Sequence, residues 1–187
     1  VGIVFAGVEF DHRQMLDEIS QRFPGIEIIG CTTSGEFSSA YGFSEDSVCL
    51  LVIYSDTLEI KAGIGRNASE NPDSAVTDAI NNARKGLSQK ESLCLIFPQE
   101  YLGSPDVMID AFNRELPPNC PVFGGVPGHQ LDLGQEARQF FNKEILKDTV
   151  LLLLFAGPVE YAFSVSNSWK PVGKRSVATS VNGREVM

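Results

Sequence analysis

The sequence has little positive charge and only two histidines. Its 187 residues include 15 Lys and Arg against 24 Asp and Glu, a formal net charge of −9 with a pI near 4.7. A nucleic-acid groove needs clustered Lys and Arg to hold phosphates. The composition therefore argues against a nucleic-acid partner.

Long apolar runs are also missing. The longest, residues 150–156, has seven residues, whereas a helix that spans a bilayer needs about 20. We therefore expect no membrane insertion. The chain does not begin with Met and shows no basic segment followed by an apolar stretch and a cleavage site, so we expect it to be part of a longer protein.

The cysteines lack the spacing of a disulfide framework or a metal site. Cys31, Cys49, Cys94 and Cys120 are far apart, without a C-x-x-C pair. This favours a reduced, cytoplasmic protein without a bound metal. An apolar fraction of 43% is enough for a packed core, so stability does not require a cofactor.

Apolar runs and amphipathic stretches alternate along the first half of the chain. Asp11 and Asn71 are placed to cap two helices, and the apolar run 47–55 indicates a strand covered on both faces. The predicted elements are strand 1–7, helix 11–23, strand 26–30, a polar loop, a hairpin of strands 47–55 and 58–65, and a helix after Asn71.

The same order of elements returns in the second half. The predicted elements are strand 93–97, helix 105–116, strand 120–124, a Gly-rich stretch 124–129, strand 137–145, and a hairpin of strands 149–155 and 159–166. This order predicts an internally duplicated α/β protein, with βαβ-type halves at about 1–90 and 91–160, mixed sheets and outer helices. An αββα layering is compatible with it.

The composition changes near residue 160. Residues 161–187 hold four basic residues against one acidic residue, and 176–186 alternate around Asn182-Gly183, which is typical of a hairpin. We therefore predict one domain over 1–160 and the start of a further portion over 161–187.

Two loops that follow predicted strands are candidates for a binding site, because ligands of α/β folds gather beyond strand ends. We expect the loops to face each other across a cavity, in which Glu36 either holds a ligand ammonium or points to solvent. Two polar turns that cap local backbone are the alternative. The candidate residues are Gly30, Cys31, Thr32, Thr33, Ser34, Gly35 and Glu36 in the first loop, and Gly124, Gly125 and His129 in the second.

These loops carry a family resemblance. Residues 30–36 are similar to the Gly-Cys-Ser/Thr-Thr-x-Gly-Glu motif of the FIST domain, and 122–125 to its Gly-Gly motif. Residues 163–166 with 169–173 resemble the junction between its N-terminal and C-terminal portions. The resemblance covers about residues 1–175.

The resemblance implies a cytoplasmic sensory module that binds small molecules such as amino acids and acts with an output domain or partner protein. Some members bind haem and report nitric oxide, and a eukaryotic branch is joined to an F-box. The family often has an acidic residue shortly after Gly-Gly, where this chain has residues 126–130 without a carboxylate. This departure leaves the charge of the ligand open.

Three other functions are compatible with the sequence. Cys31 could act as a nucleophile with His12 or His129 as its base, but no familiar catalytic motif accompanies it, and we expect no enzyme. Haem binding would need an axial ligand such as His, Cys, Met or Tyr. Of the two histidines, His12 is expected to be solvated and His129 is the better candidate. The chain could also be a protein-interaction adaptor.

Overall fold

The computed structural model describes residues 1–99, 105–129, 136–164, 169–173, 177, 179–182 and 185–186. Over these residues the chain has the predicted mixed α/β fold. Its helices are α1 (His12–Arg22), α2 (Pro72–Arg84) and α3 (Pro105–Glu115). The predicted caps are confirmed: Asp11 and Asn71 each accept a backbone N–H at 3.0 Å, from Gln14 and Ser74.

Most strands of the described residues form two mixed sheets. The first sheet has the order β10-β9-β2-β1-β5, and the second has the order β6-β11-β7-β8. Two further hairpins, β3–β4 and β12–β13, stand apart from them. The strands are β1 (Gly2–Ala6), β2 (Ile28–Thr32), β3 (Glu36–Ser38), β4 (Gly42–Ser44), β5 (Val48–Val52), β6 (Glu59–Arg66), β7 (Glu91–Pro98), β8 (Val122–Gly124), β9 (Gln139–Phe141), β10 (Glu144–Leu146), β11 (Thr149–Ala156), β12 (Val181–Asn182) and β13 (Glu185–Val186).

The layers follow the order helix, sheet, sheet, helix. The inter-sheet core joins Ile29 of the first sheet to Leu151 and Leu153 of the second. Helices α2 and α3 cover the outer face of the second sheet, and α1 covers the outer face of the first. Every residue of β11 is buried, since this strand lies at the centre of the second sheet with both faces covered.

The two sheets repeat the same strand pairing. β1 pairs with β2 in parallel and with β5 in antiparallel fashion, as β7 does with β8 and β11. Gly30 and Gly124 hold equivalent positions, because a Cβ on either would lie 1.8 or 1.9 Å from the carbonyl oxygen of Val4 or Ile96. Only glycine fits there. The boundaries of the halves and of the 1–160 domain stay predictions.

Two predicted hairpins are wrong. β5 and β6 follow each other in the chain but lie in different sheets. The hairpin of β11 with 159–166 does not form, because β6 and β7 already occupy both edges of β11. Residues 159–164 are not assigned to a strand, and 165–166 lie outside the described residues.

Two predicted strands also differ in detail. β5 is an edge strand rather than a fully covered one, and its Leu51 is 54% exposed. The predicted strand 137–145 is the hairpin β9–β10, which turns at Asn142 with φ of 53°. The tail hairpin is confirmed for β12 and β13, while Gly183 of its turn lies outside the described part of the chain.

Candidate functional site

The first three residues of the candidate motif belong to β2 rather than to a loop. Cys31 packs into the inter-sheet core and is 3% exposed. Burial raises the pKa of its thiol to about 12. The thiol is therefore protonated at neutral pH and is a poor nucleophile, which weakens the hypothesis of a Cys-dependent enzyme.

Thr32 fastens β2 to the segment that precedes β9. Its backbone N–H donates to the Arg138 carbonyl at 2.9 Å, and its hydroxyl oxygen accepts the Arg138 N–H at 2.9 Å. The residue is fully buried. These bonds satisfy the polar groups of Thr32 within the protein.

The structure brings part of the two candidate loops together. The Ser34 hydroxyl donates to the His129 carbonyl at 2.8 Å, and the Gly128 N–H donates to the Thr32 carbonyl at 2.8 Å. These bonds form a clasp between the two halves of the chain. Gly124 and Gly125 lie at the opposite end of the second loop, where the Gly125 N–H donates to the Ile96 carbonyl at 3.2 Å.

Glu36 turns away from this clasp toward β5. The side chain is buried, at 5% exposed, and its two carboxylate oxygens accept hydrogen bonds from the hydroxyls of Thr33 and Ser47. Among the described residues no Lys, Arg or His lies within salt-bridge distance of it. A carboxylate has about four lone-pair sites, so this one can accept further donors.

A cavity of about 290 Å³ opens beside Glu36. It lies between the β3–β4 hairpin and the beginning of β5, and it combines hydroxyls, an aromatic ring, a thiol and aliphatic side chains. Its lining residues are Glu36, Ser38, Ala40, Tyr41, Gly42, Ser44, Ser47, Val48, Cys49 and Leu50. Concave sites of this kind, with few polar groups among apolar ones, are typical of small-molecule binding.

The sequence pattern identified only Glu36 in this cavity. Ser47 and Cys49 fall in an apolar run that indicates a covered strand, and the hairpin around Tyr41 has no amphipathic period. The local signal for the hairpin was Gly42, which has φ of 72°, between the cross-strand partners Phe37 and Phe43.

The two histidines have different surroundings. His12 is buried rather than solvated, as its Nε2 lies 2.9 Å from the Gly7 carbonyl and its ring packs 4.9 Å from that of Phe140. His129 enters the clasp through its backbone carbonyl. The observed hydrogen bond of His12 occupies Nε2, one of the two ring nitrogens that could bind haem iron.

Two features are absent from the described part of the chain. It contains no group of three or more His, Cys, Asp or Glu side chains arranged to hold a metal ion. None of its helices has the length and apolar character needed to cross a membrane. All four cysteines are free thiols.

Comparison with known proteins adds a family and one distant relative. The FIST N domain family matches residues 1–187. The chain is 22% identical over 182 residues to the uncharacterized protein MJ1623 of Methanocaldococcus jannaschii, and this match covers 93% of the chain but 35% of that relative. A solved mutant of FtsZ from the same organism is 20% identical to the chain, covers 55% of it and 28% of its own length, and has a TM-score of 0.32.

Proposed function

Because the chain belongs to the FIST N domain family, whose members are regarded as sensory or ligand-binding domains of signal-transduction proteins, we propose that it binds a small molecule in the cavity beside Glu36. In this proposal the chain works in the cytoplasm and recognises its ligand without turnover. An output domain or a partner protein carries the signal onward.

The surroundings of the Glu36 carboxylate favour a cationic ligand. The Glu36 carboxylate is buried and lines the cavity, yet only two neutral hydroxyls contact it among the described side chains. A buried negative charge is costly unless a cation pairs with it. A ligand with a protonated amine would supply that cation, as an amino acid does.

The size and lining of the cavity agree with a small metabolite. At about 30 Å³ for each water molecule, the volume of about 290 Å³ corresponds to about ten waters. The hydroxyls of Ser44 and Ser47 already donate to the Glu45 carbonyl and to Glu36, but their oxygens can still accept a hydrogen bond from the ligand. Val48 and Leu50 can contact its apolar part. We therefore favour free amino acids and amines of similar size.

Thermal unfolding with a panel of amino acids and their N-acetyl forms tests this proposal. A ligand that binds only the folded chain raises the unfolding midpoint. At a ligand concentration of about 100 times the dissociation constant, the free energy of unfolding increases by about 2.7 kcal/mol. We expect at least one free amino acid to raise the midpoint and its N-acetyl form, which lacks the cation, to leave it unchanged.

Three substitutions locate the site. Glu36→Gln keeps the size of the side chain and one of its acceptor oxygens but removes the charge, so it should abolish the shift. Glu45→Gln changes an exposed carboxylate nearby and should preserve the shift. Ser34→Ala should also preserve it. If Ser34→Ala abolishes the shift and Glu36→Gln does not, the ligand binds at the clasp and the proposed site is wrong.

A further inference from the structure

Among the described residues, no strand pairs with the outer edge of β5 in the first sheet. Val1 and Ile53 exchange two hydrogen bonds, of 3.1 and 2.9 Å. Since such pairs alternate in an antiparallel ladder, the N–H and C=O groups of Leu51 point toward β1, and those of Leu50 and Val52 point away from it. This open edge can accept one more strand.

The side chain of Leu51 also indicates that this edge is uncovered. It pairs with Ile3, which lies in the inter-sheet core, and cross-strand partners share a face of the sheet. Leu51 is nevertheless more than half exposed. An inward-facing Leu at a sheet edge stays exposed until a neighbouring segment covers that edge.

The second sheet contains a strand at the corresponding position. Leu152 of β11 pairs with Ile96, as Leu50 of β5 pairs with Val4, so β11 and β5 are equivalent strands. β6 pairs with the far edge of β11 over eight residues, with Ala62 opposite Leu153. Within the part of the chain that the structure describes, no strand takes the corresponding place beside β5.

Residues 159–164 have the side-chain pattern of the missing strand. Val159 packs against the inter-sheet core, and the rings of Tyr161 and Phe163 lie 6.2 and 4.8 Å from the ring of Phe123. Alternate residues therefore face the same way, as in a strand. In β6, Ile60, Ala62 and Ile64 face the inter-sheet core in the same alternation.

The segment also starts at the right place. Val159 and Ile53, the residue that follows β5, both pack against the inter-sheet core. A chain that leaves this point can run back along β5 from Val52 toward Leu50. No long crossover is needed to reach the open edge.

We propose that residues 159–164, which are not assigned to a strand in the structure, add to the free edge of β5 as an antiparallel strand, with Phe163 opposite Leu51. Phe163 then corresponds to Ala62 of β6, and the backbone of Ala162 and Ser164 pairs with that of Val52 and Leu50. The added strand covers Leu51 and completes the edge of the inter-sheet core. Ser164 ends beside Leu50 and borders the cavity of Glu36.

A disulfide tests the register. Phe163 and Leu51 form a non-hydrogen-bonded pair, the kind in which opposite side chains approach most closely, so Leu51→Cys with Phe163→Cys should close within one chain in oxidised glutathione. The matched control, Leu51→Cys with Ala162→Cys, points the second thiol to the other face and should close at least about tenfold more slowly. Both pairs are made in the Cys49→Ser background and checked by peptide mass.

Three results would overturn the proposal: equal rates for the two pairs, no closure of the first, or a disulfide between two chains, which would assign the edge to a second copy. If the variants do not fold, hydrogen exchange of the wild-type chain decides. The amides of Leu50 and Val52 should then exchange at least about tenfold more slowly than in an unstructured peptide, and Ala162→Pro should speed them up. Unprotected amides in the wild type would contradict the added strand.

Discussion

Replacing Gln139 by Leu should weaken the link between the two sheets. Gln139 lies in β9 and is fully buried; its Nε2 donates to the carbonyl oxygens of Phe97 and Thr149, and its Oε1 accepts the Thr149 N–H at 3.3 Å and hydroxyl at 2.7 Å. Leu has a similar volume but leaves the Thr149 N–H and hydroxyl without this partner. At about 1–3 kcal/mol for each buried group, we expect a loss of about 3 kcal/mol.

Urea unfolding measures this loss. With a slope of about 2 kcal/mol per molar, a change of about 3 kcal/mol lowers the midpoint by about 1.5 M. Gln89→Leu is the control. The side-chain amide of Gln89 donates an exposed hydrogen bond to the Thr57 carbonyl, and losing this hydrogen bond should cost no more than about 0.5 kcal/mol. A cost below about 1 kcal/mol for Gln139→Leu would refute the reasoning.

A double-mutant cycle separates the hydrogen bonds from packing. Thr149→Val removes the hydroxyl that donates to Gln139. In the wild type it should destabilise the chain, and in the Gln139→Leu background it should cost much less, because the hydroxyl has already lost its acceptor. Equal costs in both backgrounds would show that the two side chains are not coupled.

Two further predictions concern thiols and glycines. Iodoacetamide at neutral pH should label Cys49 first, because Cys49 is only half-buried, whereas burial raises the pKa of Cys31 to about 12 and of Cys120 to about 11. Peptide mass spectrometry measures the labelling of each cysteine. Equal labelling of Cys31 and Cys49 would contradict the prediction. Gly30→Ala should lower stability by about 3 kcal/mol, because its Cβ would overlap a carbonyl oxygen of β1, whereas Gly125→Ala meets open space and should cost less than about 0.5 kcal/mol in thermal melts.

The helices could be predicted from the sequence because their signals are local. Asp11 and Asn71 cap the turns that follow them, and each bond spans three residues. Strand partners were harder, because β6 pairs with β11, which lies far away in the chain, and not with β5. An apolar run shows that a strand exists, but the identity of its neighbours depends on distant segments.

The position of β5 shows the limit of composition as a guide. Its residues 48–52 are all apolar or Cys, which indicated cover on both faces, yet Val48, Leu51 and Val52 are exposed. Burial of a strand depends on the strands and helices beside it as well as on its own side chains. In the proposed pairing, a strand of residues 159–164 would cover part of β5, including Leu51.

The motif of residues 30–36 was singled out for its polar groups, and hydrogen bonding decides which of them remain available to a ligand. The hydroxyls of Thr32 and Ser34 already bond to the second half of the chain, so a ligand that used them would first break bonds worth about 1 kcal/mol each. The Glu36 carboxylate can accept a donor and keep the bonds from Thr33 and Ser47. In the proposed function, ligand recognition therefore falls to Glu36, while Thr32 and Ser34 hold the two halves of the chain together.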